Sequence, residues 1–240
     1  MNEKVLIIIP TYNEAHNIKN IIGEVFIHLP LANVLIVDDS SPDGTLEIVK
    51  SLYAHNDKVR FIQRPGKLGL RSAYQEGYRY GIKNNFDYII QMDADFSHHP
   101  RYLPLILAEA EHADLVLGSR YAMGGGTKGW SFLRRFISRG GTFYAKKILG
   151  LPYSDLTAGF KCFTPHTLNT INFESLKSNG YAFQLETIWR AHQKKLRIAE
   201  IPIVVENRVK GKSKMSWAIL QEAIWRVWQF KLQSFSKPRT

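Results

Sequence analysis

Short apolar runs alternate with polar, turn-rich segments through the first half of the chain. Lys4-Val5-Leu6-Ile7-Ile8-Ile9, Val34-Leu35-Ile36-Val37, Val59-Arg60-Phe61-Ile62 and Asp87 to Gln91 are β-rich, as strands buried on both faces require. Segments from about Glu14 to Leu29, Leu46 to Tyr53 and Leu70 to Lys83 read as the helices between them. This β-α-β-α-β-α-β order predicts an α/β fold with a mostly parallel sheet, right-handed crossovers and all polar tips on one edge.

Leu103 to Glu111 reads as a further helix, and Asp114 to Gly118 as a fifth strand with the tip Ser119-Arg120-Tyr121. Ala122 to Gly129 contains Gly124-Gly125-Gly126, so a mobile loop beside the site is expected there. In the helix predicted from about Ser131 to Leu149, Arg134 and Ser138 share a face, and Gly140-Gly141 would permit close packing. Ile198 to Val205 reads as a late strand, followed by a basic loop from Glu206 to Ser213.

The last predicted helix, about Ser213 to Phe235, gathers Trp217, Leu220, Ile224, Val227, Trp228 and Phe235 into one wide stripe. Such a stripe suits either packing on the protein's own core or lying on a membrane surface. The expected division is a main α/β domain over 1–212 and an amphipathic helix with a tail over 213–240.

With 240 residues and 45% hydrophobic content, the chain is long and apolar enough to bury a sizeable core. Its apolar runs are far shorter than the roughly 18–20 residues of a membrane-spanning helix. Met1-Asn2-Glu3-Lys4 leads straight into a strand without the pattern of a secretory signal, so a cytoplasmic protein is expected. The single cysteine, Cys162, reads as a core residue. A formal net charge of +11 points to an acidic partner such as nucleic acid, anionic lipid or a phosphorylated substrate. Basic residues gather at Arg134, Arg135, Arg139, Lys146 and Lys147 and again at Arg208, Lys210, Lys212 and Lys214, which favours a local anionic site.

Two strand tips are acidic: Asp38-Asp39, and Asp93-Ala94-Asp95 in Gln91 to Pro100. An Asp-x-Asp by itself is more often a surface turn than a ligand. At the carboxyl edge of an α/β sheet, however, hard oxygen ligands suit a divalent ion that keeps positions open for phosphate oxygens. Acids holding a metal on one side and arginines on the other would manage two separate phosphate groups. Asp43 reads as a helix cap, and His98 with His99 as shaping the turn into Pro100.

Several segments together resemble the dolichol-phosphate (polyprenol-phosphate) mannose synthases, family 2 glycosyltransferases of the GT-A fold. These are Pro10 to Glu14, Val37 to Thr45, Met92 to Pro100, Gly118 to Tyr121, Ser154 to Phe160 and Arg208 to Lys214. The resemblance implies an inverting transfer of mannose from GDP-mannose to a polyprenyl monophosphate, with Mg²⁺ or Mn²⁺. By that likeness Pro10, Tyr12, Glu14, Val37, Asp39, Lys67, Asp93 and Lys214 bind the nucleotide sugar, and Asp93 and Asp95 hold the metal. Asp95, Arg120, Arg134, Ser138 and Arg208 serve the reaction at the donor diphosphate and acceptor phosphate. Relatives carry glutamine as a further metal ligand where Ser97 stands.

A phosphate monoester has a second pKa near 6, so the acceptor arrives largely dianionic and no general base is assigned to Asp155 or Glu186. The expected setting is the cytoplasmic face of a membrane, reached by peripheral docking or through a separate membrane partner. Two alternatives remain at this point. One is a family 2 enzyme using a UDP-sugar. The other is a basic surface-binding module without chemistry; for nucleic acid, acidic tips would repel the polyanion.

Overall fold

The computed structural model describes residues 3–206 and 225–233. Nine strands are described: β1 (Val5–Thr11), β2 (Asn33–Asp38), β3 (Val59–Gln63), β4 (Tyr88–Gln91), β5 (Leu115–Ser119), β6 (Gly126–Lys128), β7 (Lys161–Phe163), β8 (Ile198–Pro202) and β9 (Val204–Glu206). The helices are α1 (Ile18–His28), α2 (Thr45–Tyr53), α3 (Leu70–Lys83), α4 (Leu103–Ala110), α5 (Phe132–Leu149), α6 (Pro165–Thr170) and α7 (Gly180–Gln193), with residues 225–233 also helical. Seven strands form one sheet in the order β3-β2-β1-β4-β7-β5-β8, and β7 alone runs antiparallel to its neighbours.

Alternation along β1 separates two cores. Val5, Ile7 and Ile9 pack toward α1, α2 and α4, whereas Leu6 and Ile8 pack toward α3, α6 and α7. The central strands are apolar on both faces because helices cover both. Cys162, on β7, is buried in one of these cores, and burial pushes its thiol pKa upward.

The structure differs from the sequence expectations in three places. Part of the glycine-rich segment is regular: β6 pairs in parallel with β9. A Cβ at Gly125 would lie 2.6 Å from the Ser119 carbonyl oxygen, so the chain folds tightly against the β5 tip there. The late strand is split at Ile203, with β8 joining the main sheet and β9 joining β6. Gly140 and Gly141 have nothing within 4 Å of an added Cβ among the described residues, so no close packing against those residues depends on them.

The helical residues 225–233 use both sides. Val227 and Phe230 are buried in the core, with the Phe230 ring stacked on Trp189 at 4.8 Å, while Trp225, Trp228 and Leu232 are exposed. Trp217, Leu220, Ile224 and Phe235 of the expected stripe lie outside the described residues.

Candidate active site

The carboxyl ends of β1, β2 and β4 each turn through a non-glycine residue in the left-handed region: Asn13, Ser40 and Phe96, at φ of +62°, +53° and +62°. Asparagine tolerates this conformation, but a bulky phenylalanine does so at a cost, of order 1–2 kcal/mol. That strain sits inside the Asp-x-Asp segment, immediately after Asp95. Such backbone persists where surrounding contacts over-determine it, as the hydrogen bond from the Ser97 N–H to Asp95 Oδ1 (3.0 Å) does here.

A cleft of about 430 Å³ opens over these tips. It brings together Pro10, Tyr12, Glu14, Asp39, Lys67, Asp93, Asp95, Arg120 and Arg134 of the expected site, along with Ser97. Val37 does not reach it: its side chain is fully buried in the core beneath the sheet. Ser138 is not among the lining residues: its oxygen is 2.7 Å from the hydroxyl of Tyr121, which does not line the cleft either but whose ring lies 5.2 Å from the guanidinium carbon of Arg120, which does. Arg208 and Lys214 fall outside the described residues. A second cleft, of about 350 Å³, lies by Lys4, Asn33 and Asn84 at the opposite strand ends and carries none of these groups.

On the acidic side, Asp93 Oδ1 accepts from the Tyr74 hydroxyl at 3.0 Å, and its backbone N–H donates to His98 Nδ1 at 3.1 Å. That bond requires a lone pair on Nδ1, so His98 supports the turn and makes no ion pair through this nitrogen with the Asp93 carboxylate 3.9 Å away. His98 also stacks on Phe160 and approaches Gly159 so closely that a Cβ there would sit 2.8 Å from its ring. Asp95 is buried and Asp93 half-buried. Two carboxylates at one strand tip, with room left in the cleft, form a donor set that fits a hard divalent cation completed by water or phosphate oxygens.

Another cluster, Glu24, His28 and His99, also brings potential ligand atoms within 4.8 Å of one another. There His99 Nδ1 already accepts the Arg101 N–H, capping the short turn at Pro100, which leaves this nitrogen no free lone pair.

Asp39 is more engaged than a ligand residue needs to be. Its Oδ1 is held by Nε and Nη2 of Arg64, and its Oδ2 accepts the Leu68 and Gly69 N–H groups at 3.1 and 3.2 Å. These contacts pin the Lys67 loop beside Tyr12, whose ring lies 4.3 Å from the Lys67 ammonium. Asp43 is not the cap residue of α2, a position Gly44 holds, but stands directly before it; its Oδ1 accepts from the Thr45 N–H at 3.1 Å, and its carboxyl pKa is lowered. Burial by itself would raise that pKa; the hydrogen bonds from Thr45 and Ala15 outweigh it.

The basic side is built on a pair that sequence reasoning did not foresee in this form. Arg120 Nε and Nη2 each meet an Asp155 oxygen at 2.7 Å, and Nη2 also donates to the Thr157 hydroxyl at 2.6 Å. Burial would lower the arginine's pKa and raise the aspartate's, but their mutual charge and hydrogen bonds reverse both shifts. Glu200 on β8 accepts the Ser154 and Asp155 N–H groups at 2.7 and 3.0 Å and so fixes the loop presenting Asp155. Glu186 is likewise engaged, by the Ser178 N–H at 2.9 Å and Arg190 at 2.6 Å. Neither Asp155 nor Glu186 is among the residues lining the cleft.

Comparison with known proteins bears directly on this arrangement. Glycosyl transferase family 2 matches residues 6–167, which include every tip just described up to the Asp155 loop. The chain belongs to that family.

This family 2 chain is 39% identical to undecaprenyl-phosphate mannosyltransferase of Micrococcus luteus, over 95% of its own length and 94% of the relative's. It is 37% identical to polyprenol monophosphomannose synthase of Mycolicibacterium smegmatis, over 94% and 86%. The resemblance carried by its motifs is therefore also a resemblance over the whole chain. Among solved structures, glucosyl-3-phosphoglycerate synthase from Mycobacterium tuberculosis with Mn²⁺, UDP-glucose and phosphoglyceric acid matches with a TM-score of 0.66 at 17% identity, covering 99% of this chain and 82% of the other. The mannosyltransferase PcManGT from Pyrobaculum calidifontis, in complex with GDP-Man and Mn²⁺, matches at 0.54 and 14%, covering 99% and 76%. At such identities these structures establish the shared GT-A-like fold.

Trp130, Thr157, Gln184, Asn179 and Tyr181 also line the cleft and were not anticipated. Trp130 stands four residues before Arg134 in the sequence, a spacing that could have drawn attention to it. Thr157 falls within the Ser154 to Phe160 motif, whereas Gln184, Asn179 and Tyr181 arrive from a segment distant in sequence and without motif spacing.

Proposed function

We propose that the protein transfers mannose from GDP-mannose to a polyprenyl monophosphate, with inversion at the anomeric carbon, at the cytoplasmic face of a membrane. The observation carrying this reading is that one cleft gathers Asp93 and Asp95 on one side and Arg120 and Arg134 on the other. Such a site serves two phosphate-bearing substrates, and the names of the two curated relatives specify a mannosyl group and a lipid phosphate.

Asp93 and Asp95 would hold Mg²⁺ or Mn²⁺, which when bound neutralises charge developing on the departing diphosphate. Pro10, Tyr12, Glu14 and Lys67 would line the nucleotide, with Asp39 shaping that wall through Arg64. Arg134 and Ser138, with Arg208 and Lys214 from beyond the described residues, would orient anionic groups. Ser138 can accept from Tyr121 and still donate its own proton to a phosphate oxygen. The acceptor brings its own negative charge, so positioning and electrostatics carry the reaction, and the engaged states of Asp155 and Glu186 accord with their having no proton to take.

No helix among the described residues is long and apolar enough to cross a membrane. The lipid end is instead supported by α5, where Phe132, Leu133, Phe136 and Phe143 are exposed beside the exposed Arg135 and Arg139. An apolar face flanked by cations suits an anionic lipid surface, and the same helix carries Arg134 and Ser138. The helical residues 225–233 expose Trp225 and Trp228 and would add to such a surface, directly or with a membrane partner.

The donor is tested with purified protein, a short prenyl phosphate, Mg²⁺ and radiolabelled GDP-mannose or UDP-glucose. Label entering the lipid fraction from GDP-mannose is expected. Label entering only from UDP-glucose would replace the mannosyl reading with a glucosyl one.

A further inference from the structure

Trp130 joins the end of β6 to the start of α5, directly before Ser131, whose hydroxyl accepts the Arg134 N–H at 3.3 Å to cap the helix. The indole is 8% exposed and lines the cleft. Its ring faces two cations: the Arg134 guanidinium carbon lies 3.8 Å from the ring centroid and that of Arg120 lies 5.4 Å away. A guanidinium at such distances is attracted by the ring's electron-rich face, and the attraction strengthens where water is excluded. Arg120 is already fixed by Asp155 and Thr157. The aromatic plane thus ties Arg134, on a largely exposed helix, to a guanidinium anchored in the protein interior.

The same side chain has a second property. Its Nε1–H is buried and makes no hydrogen bond among the described residues; other buried polar atoms share that state, but those of Thr142, Ser178 and Trp189 belong to residues that do not line the cleft. A buried donor left unsatisfied is costly, and an oxygen brought by a ligand would relieve that cost. With two guanidinium groups on the adjoining ring, the oxygen favoured there is anionic.

We propose that Trp130 is a phosphate-positioning residue: its ring holds Arg134 in register with Arg120, and its indole N–H donates to a phosphate oxygen of the bound substrate. The proposal extends the two-phosphate reading of the cleft. The oxygen comes either from the donor diphosphate or from the acceptor monophosphate, and the two sources are separable by experiment.

Trp130→Phe keeps an aromatic face and removes the N–H; Trp130→Leu removes both. Binding of GDP with Mn²⁺, of geranyl phosphate and of inorganic pyrophosphate would be measured calorimetrically on the full chain, with melting temperature followed without ligand. Because the N–H has no partner among the described residues, Trp130→Phe gives up packing but no hydrogen bond of the free protein and is expected to melt close to wild type. It should nevertheless bind one phosphate probe about tenfold more weakly, as the loss of a charge-assisted hydrogen bond predicts. The weakened probe identifies the source. Trp130→Leu should weaken binding by a further factor of about ten, because Arg134 loses its seat.

Unchanged affinity of Trp130→Phe for all three probes would overturn the hydrogen-bonding role. A Trp130→Leu variant that folds and binds as Trp130→Phe does would overturn the role of the ring; if it fails to fold, Trp130→Phe decides the assignment of the N–H. If wild type ignores GDP and geranyl phosphate yet Trp130→Phe loses pyrophosphate, the glycosyl-transfer reading fails and the indole assignment stands. If wild type binds none of the three, the indole assignment falls as well.

Discussion

Arg120 and Asp155 form a buried ion pair closed by two hydrogen bonds of 2.7 Å, so the arginine at the β5 tip is anchored before any substrate arrives. Glu200 fixes the aspartate's loop from behind. This is a support for the anionic side of the cleft, assembled from segments 35 residues apart.

Breaking that pair leaves a buried charge without compensation. Asp155→Asn is expected to cost roughly 3–5 kcal/mol, whereas the apolar pair Arg120→Met with Asp155→Leu should recover much of the stability and none of the activity. The Asp155 pKa is lowered on folding. Its stabilising contribution is therefore complete above the ordinary carboxylate value of about 4 and is lost as pH falls through the lower folded value. Urea unfolding at pH 7 and pH 3 should show the gap between wild type and Asp155→Asn narrowing in acid. A gap independent of pH would contradict the ionised pair.

Asp95 carries the metal prediction. Asp95→Ala should lower turnover by about 10²–10³-fold and abolish its dependence on Mn²⁺ concentration, while leaving vesicle binding unchanged. Steady-state rates across a Mn²⁺ titration measure the first two and flotation the third. Wild-type turnover in the variant would remove Asp95 from the reaction.

The exposed face of α5 predicts where lipid is met. Phe132→Ser combined with Phe136→Ser, replacing two rings stacked at 6.4 Å, should reduce flotation with anionic vesicles about tenfold or more. Turnover of a water-soluble short prenyl phosphate should change less than about threefold. Flotation equal to wild type would shift lipid contact to residues 225–233, where Trp225 and Trp228 are the next to replace.

Gly140 and Gly141 lie in α5 without close neighbours among the described residues. Gly140→Ala should stabilise the protein by about 0.5–1 kcal/mol through better helix propensity, read as a higher midpoint in urea. A lower midpoint would mean that something covers this helix face.

Much of the catalytic edge was legible in order along the chain. Periodicity located β1 to β5 and their helices, and the motifs marked Asp39, Asp93, Asp95, Arg120 and Arg134 as companions before any coordinates. Strand period and turn chemistry are local, so the polar tips of successive parallel strands must share an edge. The split of the late strand and the pairing of β6 with β9 were hidden because a strand's partner is set by distant segments. Val37 shows the converse: it stands beside two acidic residues in sequence, yet strand alternation and helix packing turn its side chain into the core.

By itself the sequence determined the α/β alternation, the acidic strand tips and the family. Only the tertiary structure decided which groups are already committed: Asp39 to Arg64, Asp155 to Arg120, and the Trp130 ring to two guanidiniums. The physical reason is range. Backbone periodicity is written in neighbouring residues, whereas the state of a charge depends on whichever partners the fold brings within a few ångströms of it.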